Sequence, residues 1–177
     1  SEDFIHWTKP ARLDFGENDK WDYQMYASCI APYYRAPHIY MGMPTRYVAR
    51  PEWNDSFDKL PRAEERRHRG RGTSITDAFF MSSRDGKKWN RSHEAIFTPG
   101  PEQPANWIYG DCYLSYPLVD TGVHTYTLFN VETGIGADKP AVLRQYTLRK
   151  DGFACLEADK EERYVVTKPF TFAGHAL

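Results

Sequence analysis

Two aspartates stand where a carboxylate can do acid–base work. Asp77 precedes the apolar run AFFM at 78–81, and Asp111 follows Tyr109-Gly110 at the head of CYLSYPLV. A carboxylate at the head of a strand can project into a cleft at the strand's end and move a proton there. Gly110 permits close approach of a ligand, having no Cβ. The bland reading of both is a polar residue that starts a strand. Trp107 and Tyr113 flank Asp111 and can offer flat apolar faces to a sugar ring, or serve as core aromatics. Arg46 can pair with Asp77. Arg35 can hold a carboxylate or sulfate in its planar fork, or pair with a carboxylate of the protein. His38 precedes Ile39 and Tyr40, which suits a packed strand as well as a ligand contact.

Other chemistries lack their residues. Gly134-Ile135-Gly136 has no third glycine and no βαβ pattern around it, so it predicts no dinucleotide site. No two histidines have zinc-ligand spacing, and no G-x-S-x-G elbow is present. Neither a metal nor a cofactor is expected. Cys29, Cys112 and Cys155 are odd in number and widely spaced, which reads as small buried apolar side chains.

The elements that must carry these residues read as strands. Of 177 residues 15% are aromatic, including 12 Tyr, and such side chains suit a pleated surface. Strand-like runs cover 75–82, 87–97, 112–119, 123–131, 141–149, 153–158 and 164–172, with Asp85-Gly86, Asp120-Thr121-Gly122 and Asp151-Gly152 as turns. Residues 23–48 predict two strands broken at Pro32 and Pro37. No apolar stripe of helical period is long enough to matter. Residues 49–74 are polar and rich in Arg and Glu, an insertion with one helical turn near 61–67.

Charge is balanced, with 23 basic and 24 acidic residues. That gives no field to draw the chain to nucleic acid, and the run RRHRGRG at 66–72 reads as a solvated loop offset by Glu64 and Glu65. Apolar runs are too short to span a bilayer. No signal peptide is present, though the chain begins at Ser rather than Met.

A short pattern recurs. SEDFIHW at 1–7 and SRDGKKW at 83–89 share Ser, Asp and Trp at their first, third and seventh places. Repetition of one supersecondary signature at an interval of tens of residues marks propeller blades, in which the Asp accepts turn amides and the Trp packs between neighbours.

Longer motifs carry a resemblance. PYYRAPHIYMGMPTRY (32–47), TDAFFMSSRDGKKWNR (76–91), NWIYGDCYLSYPLV (106–119), RQYTLRKDGFACLEA (144–158) and VVTKPFTFAG (165–174) resemble bacterial five-bladed β-propellers related to the invertase-like and arabinanase-like glycoside hydrolases. The resemblance covers nearly everything except 49–74. It implies an all-β fold: residues 1–160 as the later blades of a propeller, about two of them, and 161–177 as a linker into the first strand of a C-terminal β-sandwich. A whole five-bladed propeller needs about 300 residues, so missing segments or copies of the chain itself are expected as partners.

The resemblance also implies a function. Such enzymes cleave glycosidic bonds with carboxylates at the mouth of the propeller axis. Asp111 and then Asp77 are the expected catalytic groups. Arg35, His38, Trp107, Tyr113 and Arg46 are the expected substrate contacts. Arg35–Tyr40 should be an innermost strand. Arg35 stands where arabinanase-like relatives place the general acid, and a guanidinium cannot donate a proton at neutral pH. The expectation is thus a secreted or periplasmic carbohydrate-active protein, a glycoside hydrolase in its parent form and inactive as an isolated fragment. A non-catalytic sugar-binding propeller and a structural β module are the alternatives.

Overall fold

The computed structural model describes residues 1–50, 52–59, 63–68, 74–101, 107, 109–114, 118–123, 125–132, 141–171 and 173–174. The chain is all-β, with ten strands and a single short α-helix among these residues. The first sheet holds β1 (Gln24–Tyr26), β2 (Ile30–Tyr33), β3 (Ala36–Gly42), β4 (Thr45–Val48), β5 (Ile75–Ser83) and β6 (Trp89–Phe97). It curls into a half-barrel.

Those six strands make four antiparallel rows. β3 pairs with β5 from Tyr40↔Ser83 to Gly42↔Met81, and β4 continues the same register from Thr45↔Ala78 to Val48↔Ile75. Pro44 lacks an N–H and interrupts the strand, yet its carbonyl accepts the amide of Phe79 at 3.3 Å, so the register survives. β1 and β2 likewise share one row beside β4 and β3. Six steps from Gln24 to Ile30 face five from Tyr47 to Gly42, which makes a bulge. Ala27 and Cys29, at φ 34° and 46°, lie within it. The rows therefore run 24–33, 36–48, 75–83 and 89–97, each beside the next in sequence.

The second sheet repeats the first three rows of that meander. β7 (Tyr113–Leu114) and β8 (Val119–Asp120) both pair with β9 (Thr125–Glu132), which pairs with β10 (Val142–Arg149).

Alternation on β5 sorts the core. Phe79 and Met81 face one side and pack with Trp89, Met25, Tyr40, Leu13 and Phe15. Ala78 and Phe80 face the other, where Met43 and Phe97 meet Leu114, Tyr146 and Leu148 of the second sheet, with Leu118 and Phe153 from the segments beside it. The two sheets thus pack face to face.

Several expectations are corrected. Pro32 and Pro37 lie inside β2 and β3 and do not end them. Pro32 sits on the outer row, where a missing N–H costs no ladder bond, at an irregularity between Pro32 and Tyr33. Row 36–48 is flanked on both sides, so the segment 35–40 is not an innermost, edge strand. Residues 153–158 do not return along β10: Phe153 turns inward onto Phe80, rings parallel at 5.8 Å, and edge-on to Tyr33 at 5.3 Å. Residues 164–171 form no strand either.

The insertion has structure of its own. A 3-10 turn spans Asp55–Lys59 and α1 spans Ala63–His68. Trp53 packs on Phe57, donates to Asp58 at 2.9 Å, and carries the Arg67 guanidinium over its ring at 5.1 Å. Gly134–Gly136, residues 115–117, Phe172 and the basic run beyond 68 lie outside the described residues.

Both copies of the recurring pattern adopt one turn. Asp3 accepts the amides of Ile5 and His6, and Asp85 those of Lys87 and Lys88, each within 2.9 Å. Ser1 and Ser83 donate to the same aspartates. Trp7 donates to the Phe4 carbonyl and Trp89 to that of Gly86, at 3.2 and 3.1 Å. Phe4 and Gly86 take φ 59° and 70°, a left-handed step that glycine meets without strain. Both carboxyls are held below their ordinary range, Asp3 chiefly by His6 and Asp85 by the Lys87 and Lys88 amides. The surroundings differ: Trp89 is 4% exposed and Trp7 67%.

Candidate functional site

The first rows of both sheets are sheet edges, and both begin at one place. β1 opens at Gln24, and β7 opens just after Asp111. The loop 109–112 is tied to the start of β5: the Thr76 hydroxyl donates to the Asp111 carbonyl and accepts the Gly110 amide at 3.1 Å. Asp111 is fully buried, and its Oδ1 accepts the Cys112 amide at 2.9 Å. Gly110 and Cys112 have positive φ, which turns the chain sharply on either side of that carboxylate.

Three half-buried tyrosines meet at this junction. Tyr26 and Tyr47 lie parallel with centroids 5.9 Å apart. Tyr109 stands edge-on to both, at 6.4 and 5.8 Å. Register explains the meeting. Tyr47 pairs with Thr76, and Tyr26 with Thr45 beside Ala78, so both point to the face that Asp111 adjoins. Thr45 is fully buried on this face, and its hydroxyl has no hydrogen-bond partner among the described residues.

Asp77 lies elsewhere. Alternation sends it to the opposite face of β5, where Arg46, its cross-strand partner, takes both oxygens at 2.8 and 2.7 Å. Both side chains are 7% exposed. Arg46 also donates to the His93 carbonyl at 2.8 Å and lies over the Tyr23 ring at 4.5 Å. Its pKa is raised by the Asp77 hydrogen bonds, against an opposing effect of burial. Asp77 and Asp111 therefore do not share a cleft.

Arg35 is also far from Asp111. It occupies the turn between β2 and β3, at the other end of row 36–48 from Tyr47, and pairs with Asp151 at 3.3 Å. Tyr33 also donates to Asp151, while Tyr34 and Lys150 bond Asp120 at 2.5 and 2.7 Å. These contacts fasten the first sheet's hairpin to the second sheet's turns. His38 is exposed on β3. Tyr113 is half-buried opposite Val131.

Trp107 lies close to the junction, two residues before Tyr109. Its φ of 56° is unusual for a bulky residue and stores about 1–3 kcal/mol. Its indole N–H donates to the Gly100 carbonyl at 2.7 Å.

Sequence spacing names Asp111 and Trp107 but not Tyr26 or Tyr47, which sit in unremarkable strands. Only the register places them beside Tyr109. Among the described residues no group of three His, Cys, Asp or Glu side chains converges as a metal site would. No helix there is long and apolar enough to cross a membrane. No family model, curated protein or solved structure matches this chain.

Proposed function

We propose that this chain is the later part of a carbohydrate-active β-propeller of the invertase-like and arabinanase-like kind, with its sugar site where β1 and β7 begin. The observation that carries the reading is the meeting of Tyr26, Tyr47 and Tyr109 next to buried Asp111. Tyrosine combines an apolar face for a pyranose or furanose ring with a hydroxyl for its polar edge. In this reading Asp111 is the candidate for proton exchange with a glycosidic oxygen or a water, which requires the loop 109–112 that buries it to uncover it.

The propeller reading rests on the meander. A blade is a four-row antiparallel sheet, and the rows 24–33, 36–48, 75–83 and 89–97 follow that order, with a second sheet packed on their face. First rows lie at the axis of a propeller, and here both first rows start at the tyrosine junction. Phe4, Ile5 and Trp7, at least 67% exposed, favour association with further propeller segments or copies of the chain. A carbohydrate role of this kind belongs to a secreted or periplasmic parent.

One observation favours the non-catalytic alternative. Glycoside hydrolysis needs two carboxylates about 5–10 Å apart. Asp77 is on the other face and committed to Arg46. Incubating the full-length parent with a panel of neutral and acidic oligosaccharides separates the readings. Hydrolysis abolished by Asp111→Asn supports the enzyme. Binding without hydrolysis supports the sugar-binding module. Neither binding nor hydrolysis overturns both.

A further inference from the structure

A hollow of about 170 Å³ lies where the two sheets face each other. Two aromatic pairs bridge the sheets around it. Phe80 of β5 stacks on Phe153, beyond β10, with centroids 5.8 Å apart. Phe97 of β6 meets Tyr146 of β10 edge to face at 4.8 Å. All four rings line the hollow, and they hold the backbones of the two sheets a ring's breadth apart. Met43 from the first sheet and Leu148 from the second complete the walls without filling the space between them.

The walls suit an apolar guest. Tyr146 and Thr147 supply the only side-chain hydroxyls, and no charged side chain lines the space. A trapped water needs two to four polar partners, so these side chains hold one poorly. An unpaired charge would lose its hydration there with nothing in return. An apolar cavity of about 150 Å³ is roomy enough for benzene. Ile96 and Thr147 also line the hollow and are exposed, which opens a route from solvent. The place is separate from the sugar site, since neither Asp111 nor any of the three junction tyrosines lines it.

We propose that this hollow is a binding site for a neutral monocyclic arene, which enters past Ile96 and Thr147 and packs among Phe80, Phe97, Tyr146 and Phe153. Aromatic rings attract one another edge to face or offset, and the two pairs present both kinds of surface. The volume admits about one ring, so a small molecule fits and a strand or helix of another chain does not.

Toluene titrated into the whole chain, labelled with carbon-13 in its methionine methyl groups, tests this. The four methionines sort themselves: Met43 lines the hollow, whereas Met25 and Met81 pack on the opposite face of β5. The Met43 methyl should shift saturably in the ring current of bound toluene, with Met25 and Met81 unmoved. At ten times its Kd, toluene should raise the thermal midpoint by about 3–6 °C. Leu148→Trp puts a ring into the space and should abolish the Met43 response. Ile96→Trp narrows the exposed rim, where folding is least disturbed, and should weaken the response at least about fivefold. A Met43 methyl that does not shift, equal shifts at all four methionines, or a response that survives both variants overturns the site. The unmodified protein alone decides the matter if Leu148→Trp does not fold.

Discussion

Arg46 closes on Asp77 across one rung of the β4–β5 ladder, Nε to Oδ1 at 2.8 Å and Nη2 to Oδ2 at 2.7 Å. The pair is buried against Tyr23 and Phe79, so each charge is compensated chiefly by the other. This gives Asp77 a structural task.

Removing one partner strands the other's charge. Asp77→Asn should cost about 3 kcal/mol or more in urea unfolding. Replacing both, as in Arg46→Met with Asp77→Leu, should recover most of that loss. An Asp77→Asn protein as stable as the parent would show that the pair is not holding these rows together.

A second buried pair pins the N-terminal segment. Arg91 bonds both oxygens of Asp19 at 2.6 and 2.8 Å, donates to the Trp21 carbonyl, and lies over Phe15 at 4.0 Å. The Arg91 hydrogen bonds hold Asp19 below its ordinary pKa of 3.8, against the opposing effect of burial. A carboxyl depressed in the folded state stabilises the fold above its unfolded pKa, and that contribution is lost as pH falls through the folded value. Asp19→Asn should therefore lose about 2 kcal/mol at pH 7, and its stability should fall less steeply than the parent's below about pH 4. Parallel pH profiles for the two proteins would contradict this.

The twin turns make a contrast. Trp89→Ala empties a packed site against Phe79 and Met81 and should cost about 3–5 kcal/mol. Trp7→Ala removes an exposed ring and should change stability by less than about 0.5 kcal/mol. Thermal unfolding of both variants checks the pair. Equal losses would mean that Trp7 is covered as Trp89 is.

What the sequence reveals is local. Alternation and Asp-Gly turns mark 75–83, 89–97 and 142–149, because pleat and hairpin chemistry act over a few residues. Prolines mislead: Pro32 sits on an edge row and Pro37 lies inside β3, so neither ends its strand. Phe153 misleads too, since the strand pattern after Asp151-Gly152 loses to its stacking on Phe80. The site is less legible than the fold. Asp111 is marked by its neighbours, but its separation from Asp77 depends on which face each residue takes. That depends on pairing across the 26-residue insertion 49–74. Tyr26 and Tyr47 carry no local signal at all.

Chemical-shift mapping of an oligosaccharide on the isotopically labelled chain tests the central claim most directly. Saturable shifts centred on the ring resonances of Tyr26, Tyr47 and Tyr109, with Trp7 and Trp21 unmoved and the response lost in Tyr109→Ala, are the predicted result. Shifts confined to other surfaces, or a response unchanged in Tyr109→Ala, would contradict a sugar site at the start of β1 and β7.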